Sequence, residues 1–175
     1  LLLLLLLLRL LLVLLLLTSG CAWVIKSATQ PVFDNLVASV MKQQDLQLVK
    51  NGAPAYLIMI DGFLEGSPQD KDILLAAAKL YTAYGSAFAD SPEQAEMMTS
   101  RAKNYAVRLM SLNSSVFARL HDKPSAQFSP AAKSIGKEEI EALLALINAW
   151  AAYLQFSSDS MAAMADLPKL EALTV

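Results

Sequence analysis

The chain has 175 residues, enough for one domain of ordinary size, with 14 basic and 16 acidic side chains and 55% hydrophobic residues. Setting aside residues 1–20 removes one basic group, Arg9, and leaves 13 basic against 16 acidic side chains, net −3. That balance gives no electrostatic footprint for nucleic acid, and a single cysteine rules out an internal disulfide.

Residues 1–17 are Leu or Val apart from Arg9, a run long enough to be a membrane span. Small residues then lead into the only cysteine: Leu17-Thr18-Ser19-Gly20-Cys21. This resembles the lipobox of bacterial lipoproteins, with Thr18 where that pattern prefers Leu, and it implies a signal sequence over 1–20, lipidation at Cys21 and a lipidated tether over 21–30. An uncleaved signal anchor with an incidental cysteine is the alternative. One acyl chain anchors marginally and more than one anchors stably, at about 0.8 kcal/mol per buried methylene. The domain is therefore expected in a bacterial envelope, facing the periplasm. Ala22 after the cysteine favours the outer membrane if sorting follows enteric habits. The absence of an initiator Met and a basic leader suggests that the natural N-terminus lies further upstream.

Pro31 opens a helix with Phe33, Leu36, Val37 and Val40 on one side. Asp45 to Lys50 reads as a short helix stopped at Asn51-Gly52, and Pro54 as the start of the next, since the first turn leaves its N–H without a partner anyway. Gly66-Ser67-Pro68 separates that helix from the following one, with Ser67 a candidate N-cap. Residues 70–89 form the central element: Leu74, Ala77, Ala78, Tyr81, Gly85 and Phe88 on one side, Ile73, Ala76, Leu80, Ala83 and Ala87 on a second. A helix apolar nearly all round is packed on more than one side.

Ser91-Pro92-Glu93-Gln94 is a capping box opening a helix whose apolar face is Ala95, Met98, Ala102, Tyr105, Ala106, Leu109 and Leu112. Its charged residues, among them Glu96, Arg101, Lys103 and Arg108, are expected mostly in water. Ser114 or Ser115 caps a short helix through Phe117 and Leu120, and His121 to Gly136, with Pro124 and Pro130, reads as loop. Helix resumes from Lys137 to Phe156, with Ile140, Leu143, Leu144, Ile147, Trp150 and Leu154 on one side and Leu146, Ala149 and Tyr153 on another. Short pieces at Asp159 to Ala165 and Pro168 to Leu173 close the chain. No stretch alternates with period two, so the fold class is all-α.

Antiparallel helices on short turns invite a repeat reading. With Pro68 as a closing proline, Leu74, Ala77, Ala78 and Tyr81, then Ala95, Thr99 and Ala102, fit one degenerate tetratricopeptide unit with an insertion near Phe88 to Ser91.

A wider resemblance is carried by Gly52 to Gly62 (GAPAYLIMIDG), by Leu74 to Phe88 (LLAAAKLYTAYGSAF), by the helix from Arg101 to Leu109, by Ala149-Trp150-Ala151-Ala152-Tyr153, and by Asp166 to Leu173. In that order they resemble the TatT, or T-component, lipoproteins associated with TRAP (tripartite ATP-independent periplasmic) transporters. The resemblance spans nearly all of residues 36–173. It implies tetratricopeptide-like antiparallel hairpins stacked into a superhelical bundle over 31–175, and a periplasmic lipoprotein that binds the solute-binding P subunit of the transporter. It also implies a homo-oligomer and a small hydrophobic or organic-acid ligand. Family members continue beyond the Leu-Pro-x-x-x-x-Leu segment, so a C-terminally truncated stack is expected.

Individual residues offer little chemistry. His121 has no second His or Cys to complete a metal site, and reads as a loop residue beside Asp122. Asp61, inside an apolar helix, reads as a hydrogen-bonded acid closing an inter-helix contact, although a shifted catalytic acid is the alternative. Glu138, Glu139 and Glu141 suit a helix start. No phosphate loop, nucleophile elbow or paired-Cys spacing occurs, so no metal, no cofactor and no enzymatic activity are expected. Tyr56, Tyr81, Tyr84, Trp150 and Tyr153 could line a groove, but core packing with their OH and NH groups satisfied is the stronger reading. The Met pairs Met97-Met98 and Met161/Met164 are gap-fillers or adaptable contacts. Two functions stay open: an accessory lipoprotein of a TRAP-type uptake system, or a tetratricopeptide-type scaffold for envelope assembly.

Overall fold

The computed structural model describes residues 42–174, together with Arg9, Asn35 and residues 38–40. The chain divides into two compact units, residues 1–42 and 43–175. In the first, Asn35, Ala38, Ser39, Val40 and Lys42 are helical. The rest of the signal sequence, Cys21, the tether, Pro31, Phe33, Leu36 and Val37 lie outside the described residues.

The second unit is all-α: α1 (Leu46–Gly66), α2 (Lys71–Ala87), α3 (Pro92–Asn113), α4 (Ser115–Leu120), α5 (Ser125–Lys133), a 3-10 turn (Lys137–Glu139), α6 (Ile140–Phe156) and α7 (Met161–Thr174). No strand occurs among the described residues. The neighbours along the chain run antiparallel, as cross-helix contacts show. Lys50 meets Asp90 and Asp61 meets Tyr81 between α1 and the α2 region. Lys71 reaches Asn113 while Tyr81 reaches Arg101 between α2 and α3.

The α2–α3 hairpin is the most intimate pair, and α3 against α6 comes next. Helix α2 touches α1, α3 and α6, which makes it central, as its all-round apolar sequence predicts. Leu74, Ala77, Ala78 and Tyr81 are buried, as are Ala95, Thr99 and Ala102, the residues that fit the repeat pattern. Small side chains let the backbones approach. A Cβ added at Gly85 would stand 2.8 Å from Met98 Cβ and 3.1 Å from Thr99 Cγ2, closer than carbon atoms pack. Buried Thr99 returns its hydroxyl to Ala95 O at 2.8 Å, so burying it leaves no orphan donor.

Local sequence accounts for most helix ends. Asp45 caps α1 by accepting from the Gln47 and Leu48 amides, and Ser91 caps α3 by accepting from Gln94 N at 3.2 Å. Gln94 Oε1 reaches back to Asp90 N at 2.6 Å, one residue earlier than the ideal box. Of the two serines offered for α4, Ser114 is the cap, accepting from Phe117 N at 3.3 Å.

Several expectations are overturned. Asn51-Gly52 does not stop a helix and Pro54 does not start one: α1 runs through both. Proline inside a helix costs about 3 kcal/mol. The continuous buried stripe Ala53, Leu57, Ile60 and Leu64 offsets that loss. Ser67 is the C-cap of α1, its amide donating to Phe63 O, while Asp70 takes the N-cap of α2 by accepting from Asp72 and Ile73 amides. The segment His121 to Gly136 contains α5 because Phe128 is fully buried there, edge-on to Phe117 at 5.9 Å and to Trp150 at 6.2 Å. Helix α7 is one piece through Pro168. In α6 the buried face is Ala142, Ala145, Leu146, Ala149, Trp150 and Ala152, leaving Ile140 and Leu144 exposed. Small residues win that face because it packs close against α3.

Candidate functional site

On α3, at 3.6 residues per turn, Arg101, Tyr105 and Arg108 share one flank, and Glu96 and Lys103 share the other, with the buried stripe Ala95, Ala102, Ala106 and Leu109 between. Each flank reaches into a polar cluster. Glu96, Arg101 and Arg108 are exposed, as expected, while also bonding to neighbouring elements; the expectation fails for Lys103, whose side chain is only 19% exposed.

The first cluster centres on Asp61 of α1. Its Oδ2 accepts from Tyr81 OH at 2.7 Å and from Arg101 Nη1 at 2.8 Å, and its Oδ1 accepts from Tyr105 OH at 2.6 Å. Arg101 Nη1 also lies 3.2 Å from Tyr81 OH, and the two tyrosine rings are 5.6 Å apart. Burial, then the hydrogen bond to Asp61, pushes the Tyr81 hydroxyl up to about 12. Burial raises Tyr105 as well, with the same carboxylate as second cause. Contact with the Tyr81 hydroxyl raises Arg101 further. One acid thus ties three helices, the inter-helix role anticipated for it. Beside the cluster lies a recess of about 510 Å³ whose walls include Asp61, Glu65, Arg101 and Arg108.

The second cluster centres on Lys103. Its Nζ donates to Asp166 Oδ2 of α7 at 2.7 Å and stands 4.9 Å and 4.3 Å from the ring centres of Trp150 and Tyr153 of α6. Lys169 Nζ is 3.3 Å from Asp166 Oδ1 and donates to His121 O at 3.0 Å. Burial pushes Asp166 up, but the Lys103 hydrogen bond and the charges of both lysines outweigh it and hold the carboxyl below the usual range. Nearby, Ser157 Oγ donates to Glu96 Oε1 at 3.0 Å.

The five aromatic groove candidates fall in different surroundings. Tyr81 belongs to the Asp61 cluster and Trp150 with Tyr153 to the Lys103 cluster. Tyr84 is buried beside Phe88 with ring centres 6.0 Å apart, and Tyr56 stands half-exposed on α1. Core packing accounts for Tyr81, Tyr84 and Trp150, except that the buried Trp150 indole N–H finds no acceptor among the described residues. His121 is more than a loop residue: it caps α4, stacks on Phe117 at 5.5 Å, and pairs with Asp122 at 3.2 Å. Glu141 pairs with Lys79 at 2.8 Å, and Glu139 accepts from the Gly136 amide. Met97, Met161 and Met164 are exposed. Sequence reading missed the Lys103–Asp166–Lys169 set and the Arg108 recess. The available signal was Lys103 at the margin of an apolar stripe, two turns from Glu96.

Among the described residues no group of three His, Cys, Asp or Glu side chains could hold a metal ion, and no helix is long and apolar enough to cross a membrane. The fold and its two latches define an all-α protein of antiparallel helical hairpins, bound together by one acid-centred and one amine-centred cluster. A family model described as TRAP transporter T-component matches residues 42–174, nearly the whole second unit. The chain belongs to that family, and is thereby an accessory component of a TRAP transporter system. No curated protein and no solved structure matches it.

Proposed function

We propose that this chain is a periplasmic lipoprotein, anchored through Cys21, that binds the solute-binding P subunit of a TRAP-type uptake system and handles a hydrophobic or organic-acid ligand. The observation that carries this is the family match, which coincides with the latched helical unit. The lipobox-like Leu17 to Cys21 supports the anchor, and helical hairpins supply side-by-side surfaces suited to a protein partner. The role is non-enzymatic. Burial, then the Asp61 hydrogen bond, raises Tyr81 and Tyr105, and Lys103 and Lys169 outweigh burial to lower Asp166, which makes poor bases of all three near neutral pH. The test is crosslinking in the native envelope with a tagged full-length chain, partners being identified by mass spectrometry. A P subunit as the main partner is the expected result. Assembly factors in its place would move the function to an envelope scaffold, and an unacylated Cys21 would remove the anchor.

A further inference from the structure

The recess beside Asp61 combines features that the latch alone does not need. Its volume of about 510 Å³ falls within the range of small-molecule sites. Arg101 and Arg108 stand about two turns apart on one flank of α3, with Tyr105 between them. Each guanidinium is fixed by one nitrogen and one ring. Arg101 Nη1 bonds Asp61, and its Cζ lies 5.9 Å from the Tyr81 ring centre. Arg108 Nη2 donates to Pro68 O at 2.6 Å, and its Cζ lies 5.7 Å from the Tyr105 ring centre. Fixing a guanidinium this way leaves its remaining N–H donors pre-aimed at little entropic cost.

The charges do not close on themselves. Asp61 is committed to three donors and offsets Arg101. Arg108 has no carboxylate within 4 Å among the described residues, although Glu65 stands on the same wall. A cation held in a recess beside the open edge of a second guanidinium matches a carboxylate, which takes two parallel N–H bonds from such a fork. Buried Leu64 supplies an apolar floor for a short carbon skeleton.

We infer that the recess between the end of α1 and α3 binds a small organic carboxylate, held by Arg108 and the free edge of Arg101, with Glu65 disfavouring more highly charged anions. The inference deepens the ligand-handling half of the proposed function and rests on it. The experiment is calorimetric titration of the full chain in detergent with pyruvate, succinate and inorganic phosphate.

Saturable binding of a carboxylate in the millimolar range or tighter is expected. R108Q should weaken it at least tenfold (about 1.4 kcal/mol), R108K several-fold because a point charge lacks the fork, and E65Q should tighten it. Phosphate should bind at least tenfold more weakly. Both Arg108 variants should melt within a few degrees of the parent, since this side chain is exposed. No saturation with either carboxylate, parent-like affinity in R108Q, or phosphate binding as tightly would overturn the site. Capture of the P subunit without carboxylate binding would reject the recess and leave the accessory role standing. Carboxylate binding without that capture would do the reverse.

Discussion

The two clusters on opposite flanks of α3 solve one problem with inverted chemistry. On one side a carboxylate, Asp61, gathers two phenols and a guanidinium; on the other an ammonium, Lys103, gathers a carboxylate and two aromatic faces. The difference lies in enclosure. Arg101 keeps 53% of its side chain exposed, whereas Lys103, Asp166 and Lys169 keep 19%, 19% and 12%. The enclosed cluster holds helices together and turns its charges inward, Lys103 and Lys169 both against Asp166. An open one fixes helices and still presents unspent donors to solvent, which is why the recess adjoins Asp61 and not Lys103.

The largest expected loss comes from removing the centre of the first cluster. Asp61→Ala strips the acceptor from two part-buried hydroxyls and a guanidinium at once, and should cost about 3 kcal/mol in urea denaturation. Asp166→Ala leaves Lys103 a poorly hydrated cation, though one still seated on two rings, and should cost about 2 kcal/mol. If the two losses came out in the opposite order, enclosure would outweigh the number of bonds as the source of latch strength. Gly85→Ala tests the seam between the clusters. Its Cβ meets Met98 Cβ on a helix that both latches hold in place, so a loss of about 1–2 kcal/mol is expected instead of the usual helical gain from alanine.

Titration reports on one shifted group in each cluster. Tyr81 is raised in the folded state, so its contribution is fully present below the ordinary tyrosine value of 10 and is lost as pH climbs through about 12. Asp166 is lowered, so its contribution is present above the ordinary value of 3.8 and is lost as pH falls through its depressed folded value. Alkali should therefore cost the first latch the Tyr81 contribution, and acid should cost the second that of Asp166. Urea midpoints across both limbs would show this, with Asp166→Asn flattening the acid limb and Tyr81→Phe the alkaline one.

How much of this was readable beforehand depended on what each residue needed from far away. The central α2 was legible because its apolar stripes are a local, periodic signal, and so were the caps at Ser91 and Ser114. Asp61 was legible as an acid in need of donors, but not which donors, since Tyr81 and Tyr105 meet it only after α2 and α3 fold back. Pro54 and Pro168 misled because a breaker's local cost is fixed while the tertiary burial that offsets it is not visible in the sequence. Helix α5 was hidden for the same reason: Phe128 matters through Phe117 and Trp150, neither of them a neighbour in sequence. The recess left no local trace at all, because it belongs to the space between α1 and α3.

The smallest effect is expected at Lys79 and Glu141, and it sharpens the comparison by lacking both of the features that matter. The pair joins α2 to α6 at 2.8 Å, within 0.2 Å of the shortest contact in either cluster. Yet both side chains are largely exposed, at 44% and 67%, and neither gathers a third group among the described residues. In water the Coulomb gain is offset by the entropy of ordering two long side chains and is screened by salt. Lys79→Ala should therefore cost no more than about 0.5 kcal/mol, and raising the salt to 1 M should erase even that. A loss comparable to that of Asp166→Ala would mean that bond length alone sets the strength of a cross-helix contact here, and the distinction between open and enclosed clusters would lose its physical basis.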